Sequence, residues 1–559
     1  MTPKERYEAW VSCPALTPED RALLQSITDQ DRIAELFRKD LGFGTGGIRG
    51  IIGPGSANIN RYVVRRATAG FALLLLERFG EAAKSRGIAV AWDSRHFSKE
   101  FAEETALTLA AYGIRAFLFD EVSATPLLSF AVRRLHCAGG VVITASHNAK
   151  EYNGYKAYDE TGCQLSLEAS QKLMAKASAL RLEEIPVLSK EEALRCGLLQ
   201  FMPEEVFEAY VGAVESFASA SLSKDAKKAV SIVYTPLHGA GSKPVRRVLS
   251  DLGYANVQTV KEHELPDGSF PTVRYPNPEI PDALTLALQL AEEKNADVVI
   301  ATDPDSDRMG LCAKDQDEKH VVFTGNQIGV LLLNYLLETT DLSALKDPTL
   351  VTTVVTGRMG PAIAEANGLS VRMTLIGFKH ICGAMNRLQE ENKDLFFGYE
   401  ESFGYLPGDH TRDKDGVLSA LKAVEMAAYY KAKGKTLPQV LQELYQQYGY
   451  YLDMSTYYLY GDAAGRAKIE AIAEELRRLG TGLMEGIVKA EDYSKGLDGL
   501  PPENMMKFYF EDGSWIAARP SGTEPKIKIY YSIKGSSPEY CSRLFQLRKA
   551  AIDTLVRNI

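Results

Sequence analysis

Apolar residues occur along this chain in two alternating rhythms. Residues 1–40 are polar with helix-like spacing. Short continuous apolar runs follow, at 87–92, 114–119 and 140–144, with a helical stretch at 99–112 between the first two. Runs of this length that end on polar loops read as buried strands, and strands alternating with helices predict βαβ units and a mostly parallel sheet. The rhythm recurs at 229–234, which opens into Thr235-Pro-Leu-His-Gly-Ala-Gly-Ser242, and at 296–301, which opens into Thr302-Asp-Pro-Asp-Ser-Asp-Arg308. A third block carries strands at 349–355 and 395–398 and a helix at 417–432.

The C-terminal pattern differs. Residues 507–519 read as two strands around Asp-Gly, a hairpin signal, with a further strand at 527–533 and helices at 468–479 and 538–557. This predicts a smaller α+β domain. The whole reads as an α/β protein of four domains: 1–205, 206–318, 319–450 and 451–559. Linkers are placed near 200, 320 and 450, with Gly449 and the polar stretch around Asp453 as candidate hinges.

A chain of 559 residues is too long for one hydrophobic core. Its 45% hydrophobic and 25% charged residues exclude disorder, collagen and coiled coil. Apolar runs such as 71–76 fall far short of the ~18 residues a membrane span requires. The first residues carry no apolar secretory segment. The net charge of −9 gives no basic field for nucleic acid, so an anionic ligand must be held by local Arg and Lys. Seven scattered cysteines without C-x-x-C predict a reduced, cytoplasmic protein.

Several familiar patterns fail on inspection. Gly42-Phe-Gly-Thr-Gly-Gly47 matches a dinucleotide fingerprint but follows a helical stretch rather than a strand. Gly434-Lys-Thr436 lacks the upstream Gly of a phosphate-binding P-loop. The 303–307 run has Arg308 and Lys314 where an EF-hand needs Gly and Glu.

Four loops carry chemistry. Ser146, in Thr144-Ala-Ser-His-Asn148, follows a buried strand, where ligands bind in open α/β folds. Asp303, Asp305 and Asp307 alternate in one short loop and repel one another unless a cation lies between them; hard oxygen ligands select Mg²⁺ or Ca²⁺. Glu400 and Ser402, at i and i+2 of an expected extended segment, would point the same way and suit sugar hydroxyls. Arg519-Pro-Ser521-Gly522-Thr523-Glu-Pro-Lys526 has the hydroxyls, close-approach Gly and cations of a phosphate cradle.

In this order the four loops resemble those of the α-D-phosphohexomutases, the phosphoglucomutase and phosphomannomutase superfamily, over nearly the whole chain. The resemblance implies four domains around a central cleft. It implies that Ser146 is a phosphoserine and that Asp303, Asp305 and Asp307 bind one Mg²⁺ with a phosphoserine oxygen at Ser146 as a further ligand. His147, Asn148 and Arg308 would line the same centre. Thr45 lies in the family's N-terminal active-site loop, and Arg49, Lys156 and Lys379 are its candidate acid/base or charge-stabilising cations. Glu400 and Ser402 match the sugar loop; Arg519, Ser521, Gly522, Thr523 and Lys526 match the phosphate loop. Tyr399 stands where the family usually has Gly, so it either narrows the pocket or packs beneath the loop.

The implied activity is glucose 1-phosphate/glucose 6-phosphate interconversion through glucose 1,6-bisphosphate. A mannose or pentose phosphate substrate, or bisphosphate synthesis, is the alternative. The expected partners are sugar phosphates alone, with no nucleic acid or membrane, and the expected state is a monomer or weak homodimer.

Overall fold

The computed structural model describes residues 1–44, 47–460, 463–521 and 526–559. It contains two compact units: residues 1–314 with 403–433, and residues 315–402 with 434–559.

The first unit opens with three short helices, Pro3–Ser12, Pro18–Ser26 and Gln30–Leu36, each capped by a Thr or Asp side chain. Its first sheet orders the strands Ile48–Ile51, Tyr152–Tyr158, Gly139–Ile143, Ile88–Trp92, Ala116–Leu118 and Leu199–Phe201. The centre is parallel, as the continuous apolar runs predict: 88–92 pairs in parallel with both 116–118 and 139–143. Tyr152–Tyr158 joins antiparallel, so the sheet is mixed. Ile88, Val90, Val141 and Ile143 meet Phe71, Phe101 and Leu109 from the covering helices in one buried core.

In the second sheet Met309–Lys314, Val298–Thr302, Ile232–Thr235 and Val257–Thr259 lie side by side in that order. The first two form an antiparallel pair with Met309 opposite Thr302, so residues 303–308 are a connection held at both ends by the ladder. The helix Gly416–Ala432, capped by Asp415, packs on this sheet and is buried along most of its length.

In the second unit Ser370–Thr374, Thr349–Thr353 and Leu395–Glu400 are parallel neighbours. The C-terminal sheet is antiparallel, in the order Tyr450–Leu459, Lys526–Gly535, Trp515–Pro520, Met506–Phe510 and Ile487–Asp492. The two candidate hinge positions, Gly449 and Asp453, lie at a helix end and in a strand. Gly449 caps the helix Leu437–Tyr448 at φ 95°, and Asp453 lies inside the uninterrupted strand Tyr450–Leu459. Val354, Val355 and Leu375 share a core with Trp515, Ala517 and Tyr530, so residues 434–559 pack with 315–402. The boundaries between the two compact units fall at 314, 402 and 433.

Tyr399 packs beneath its loop and is fully buried. It fills a slot made by two glycines: a Cβ at Gly360 would lie 2.0 Å from Tyr399 Oη, and one at Gly329 would lie 2.4 Å from its ring. Its hydroxyl is buried without a hydrogen-bond partner. Gly360→Ala is therefore expected to destabilise by about 1–3 kcal/mol through overpacking. Tyr399→Phe is expected to be near neutral or stabilising, because it removes an unpaired polar group. Denaturant unfolding of the two variants and their double mutant checks this: the double mutant must recover part of the Gly360→Ala loss.

Candidate active site

Ser146 lies just past the carboxyl end of Gly139–Ile143, buried, in a left-handed conformation at φ 54°. Its amide donates to Thr144 Oγ1 at 2.7 Å. Its hydroxyl donates to Asp303 Oδ2 at 2.7 Å and lies 3.1 Å from His147 Nδ1. The serine and aspartate motifs, 157 residues apart, thus meet in one hydrogen bond.

The three aspartates are fully buried, and one carboxylate oxygen from each lies within 4.8 Å of the others. Asp303 Oδ1 accepts from the amides of Asp307 (3.2 Å) and Arg308 (3.0 Å). Asp305 Oδ2 accepts from Lys156 Nζ (2.6 Å) and Thr125 Oγ1 (2.9 Å), with Thr125 at the start of helix Thr125–Arg134. Asp307 Oδ2 accepts from Lys156 (2.9 Å) and lies 2.9 Å from Lys414 Nζ. Beneath the loop, Ala240 donates to the Pro304 carbonyl at 2.8 Å, and Gly239 leaves no room for a Cβ against Pro304. The Thr235–Ser242 segment is therefore the seat of the aspartate loop.

Asp305 Oδ1 and Asp307 Oδ1 are buried without a hydrogen-bond partner. Buried anionic oxygens left unpaired are costly, and together with Asp303 they form an all-oxygen donor set suited to Mg²⁺. Among the described residues this is the one group of three or more His, Cys, Asp or Glu side chains able to hold a metal.

The electrostatics follow from burial and this pairing. Burial, then Asp305 and Asp307, push Asp303 well above the usual carboxylate range. Asp305 is buried beside Asp307, yet Lys156 and Lys414 hold it low. Asp307 is held low despite its burial by Lys156, Lys414 and Arg308. Lys156 is itself raised: its burial is outweighed by Asp305 and Asp307. Burial, with Arg308 and Arg49 nearby, keeps His147 far below its usual value, so its ring is neutral at pH 7.

Of the other expected residues in this unit, Arg49 Nη1 donates to Asn148 Oδ1 at 3.2 Å. Arg308 pairs with Glu279. Thr45 lies outside the described residues. Sequence reasoning missed Lys414, Thr125 and Glu279. Lys414 belongs to Arg412-Asp-Lys-Asp415, a charge run that reads as a solvated turn, yet all four residues are buried. An Asp directly before an apolar helix, with Lys beside it, was the available signal.

The second unit carries the remaining candidates. Glu400 ends its strand and is buried, whereas 401–403 form a turn, so the expected extended i, i+2 pair with Ser402 is absent. Glu401 accepts from Thr356 Oγ1 at 3.1 Å, which ties this turn to the 353–356 loop. Lys379 lies at the start of helix Phe378–Glu390, and burial, with Arg519 nearby, lowers its amine against the opposing pull of Glu503. Arg519 Nε donates to Glu503 Oε1 at 2.9 Å. The Ser521 amide donates to the Lys526 carbonyl at 2.7 Å, and Lys526 Nζ lies 4.6 Å from the centre of the Tyr457 ring. Gly522 and Thr523 lie outside the described residues.

Each of the four domain models of one family matches the chain. "Phosphoglucomutase/phosphomannomutase, alpha/beta/alpha domain I" matches residues 40–184, domain II 208–316, domain III 324–448 and the C-terminal domain 463–539. The chain belongs to the phosphoglucomutase/phosphomannomutase family. It is an isomerase of the phosphohexomutase class, with three α/β domains and a distinct C-terminal domain. A phosphoglucomutase of Staphylococcus haemolyticus is 35% identical over 524 residues, covering 91% of this chain and 93% of that protein. One from Staphylococcus aureus strain MSSA476 is 34% identical, covering 89% and 91%. Among solved structures, a putative phosphomannomutase from Thermus thermophilus superposes with TM-score 0.68 at 24% identity, over 92% of this chain and 99% of that one. The open form of pp63/parafusin, a phosphoglucomutase from Paramecium, gives 0.69 at 19%, over 92% and 96%. These two share the fold.

One buried cation of this family member lies outside the site. Lys507 Nζ donates to the Val354 carbonyl at 2.5 Å and lies 4.3 Å from the centre of the Trp515 ring. Burial, then Arg358, lowers it from 10.5 to about 7. The unfolded chain therefore holds a proton that the folded chain gives up between pH ~7 and ~10.5, so this group makes stability rise with pH across that window. Its cost is fully present below pH 7, on the order of 5 kcal/mol for a shift of this size. Denaturant titrations at pH 7 and 9.5 are expected to show stability rising for the native protein and a flatter profile for Lys507→Met.

Proposed function

We propose that this phosphohexomutase interconverts glucose 1-phosphate and glucose 6-phosphate through a phosphoserine at Ser146 and glucose 1,6-bisphosphate. The observation that carries the proposal is the Ser146 hydroxyl 2.7 Å from a buried aspartate of a three-aspartate, magnesium-suited loop. The glucose assignment is supported by relatives named phosphoglucomutase that align over about nine-tenths of the chain.

In the forward half-reaction the phosphorus–Oγ bond of phosphoserine 146 breaks as a sugar hydroxyl oxygen bonds to phosphorus, the hydroxyl proton passes to a base, and the departing Ser146 Oγ takes up a proton. Lys379, lowered by burial and Arg519, is suited to exchange that proton. In the return half-reaction Ser146 Oγ bonds to phosphorus of the other phosphate as its bond to the sugar oxygen breaks; neutral His147, 3.1 Å from Oγ, is placed to take the serine proton, and the freed sugar oxygen takes back a proton from the base. Mg²⁺ held by Asp303, Asp305 and Asp307, with a phosphoserine oxygen, supplies charge neutralisation when bound. Arg49 and Asn148 hold the loop edge, and Arg308 adds positive charge near the aspartates. Glu400 and Ser402 read sugar hydroxyls. Arg519, Ser521, Gly522, Thr523 and Lys526 bind a phosphate, and Thr45 belongs to the N-terminal active-site loop. We place the enzyme in the cytoplasm as a monomer or weak homodimer; its seven cysteines are free and six are buried.

The test is a coupled assay on the 1-phosphates of glucose, mannose, N-acetylglucosamine, ribose and deoxyribose, with and without glucose 1,6-bisphosphate. The highest kcat/KM is expected for glucose, with stimulation by bisphosphate and no inorganic phosphate released. Preference for a pentose or mannose overturns the substrate assignment. Release of phosphate in place of isomer overturns the mutase mechanism.

A further inference from the structure

Ser146 occupies a backbone region that residues other than Gly rarely adopt, so its loop must be held in place from outside. The hold comes from the segment after strand Ile88–Trp92. Asp93 Oδ2 accepts from Thr144 Oγ1 at 2.6 Å, and Thr144 Oγ1 accepts the Ser146 amide. Arg95 supplies the other half. Its Nη2 donates to the carbonyl of Ser146 at 2.5 Å and to that of Asn148. Its Nη1 donates to the carbonyls of Ala149 at 2.8 Å and Tyr152 at 3.0 Å. One guanidinium thus gathers four carbonyls of the serine loop, a task that needs a rigid fork of N–H groups and that a single ammonium cannot match.

Arg95 is itself fixed. Its side chain and that of Asp93 are fully buried, with Nε 3.4 Å from Asp93 Oδ2. The Phe270 ring faces the guanidinium at 5.1 Å. Gly268 leaves no room for a Cβ against the His96 amide and Ser94 carbonyl, so the 267–270 loop closes directly over the 94–96 backbone. The hydroxyl of Ser146 is thereby presented to Asp303 by a network built from residues outside the aspartate loop.

We propose that Arg95 is a positioning residue for phosphoryl transfer: by capping four carbonyls of the serine loop it holds Ser146 in the left-handed conformation that keeps Oγ against Asp303. This rests on the reading of Ser146 as the phosphoryl carrier. Displacing reacting atoms by about an ångström costs about a hundredfold in rate even when binding is intact.

The experiment measures single-turnover phosphorylation of the enzyme by glucose 1,6-bisphosphate by rapid quench and intact mass. It also measures kcat, KM for glucose 1-phosphate, magnesium affinity and melting temperature, for the native protein, Arg95→Lys and Thr144→Val. Arg95→Lys is expected to slow phosphorylation and lower kcat about a hundredfold, with KM and magnesium affinity changed less than about threefold. Thr144→Val, which removes only the other strut of the loop, is expected to show the same split and keeps the test decisive if the Arg95 variant does not fold. Native phosphorylation by either folded variant overturns the proposal. So does a loss shared equally by kcat, KM and magnesium affinity, which marks general unfolding of the site. Failure of the underlying reading shows separately, as phosphorylation that persists in Ser146→Ala.

Discussion

Replacing Ser146 by alanine is expected to lower mutase kcat by at least about 10³-fold while leaving the fold intact. The Ser146 hydroxyl is the group that bonds directly to Asp303 of the aspartate loop, and alanine offers no oxygen there to carry the phosphoryl group. Intact-mass analysis of the native enzyme should show a fraction heavier by one phosphoryl group, since a free hydroxyl cannot start the cycle. Ser146→Ala must lack that species. Because the lost side chain is small and Thr144 still receives the residue 146 amide, melting temperature should change little. Turnover by Ser146→Ala at the native rate would remove Ser146 from the mechanism.

The second large effect concerns the aspartates. Chelation is expected to abolish activity and Mg²⁺ to restore it, and the protein should melt higher with saturating Mg²⁺ because only the folded state presents the site. The three positions should not respond alike. Asp305→Asn removes one charge beside Asp307 and leaves Lys156 its bond to Asp307, so the fold should persist while the magnesium response is lost. Asp307→Asn strips the shared carboxylate from both Lys156 and Lys414, leaving two buried ammonium groups with weakened pairing. Breaking a buried pair this way costs about 3–5 kcal/mol, so this variant should be unstable as well as inactive. Calorimetric magnesium titration and denaturant unfolding of the two variants separate these outcomes. Full activity in excess chelator, or equal stability of both variants, would contradict the assignment.

What the sequence determined by itself was everything encoded over a few contiguous residues. Apolar runs ending in Asp93, Thr144 and Thr302 announced strands whose carboxyl ends carry the loops. Ser146 and the alternating aspartates announced their chemistry, because a nucleophile after a buried strand and three carboxylates in six residues are costly unless used. The same local logic misjudged Glu400 and Ser402: Glu400 ends the strand and the next three residues turn, so the expected period-two geometry does not extend to Ser402. Nor does the polar stretch around Asp453 reveal that Tyr450–Leu459 pairs along its whole length with Lys526–Gly535.

Only the tertiary structure decided which distant groups share the centre. Lys414 reaches Asp307 because the chain returns at 403–433 to pack a helix on the second sheet, and nothing near residue 414 encodes that return. Tyr399 lies under its loop because Gly329 and Gly360, on two other elements, leave a ring-sized slot. Arg95 holds the serine loop because the strand ending at Trp92 is the parallel neighbour of the strand ending at Ile143, which brings their carboxyl-end loops together. A motif fixes which atoms can react; the long-range pairing of strands, set by burial of their apolar faces, fixes which of those atoms meet.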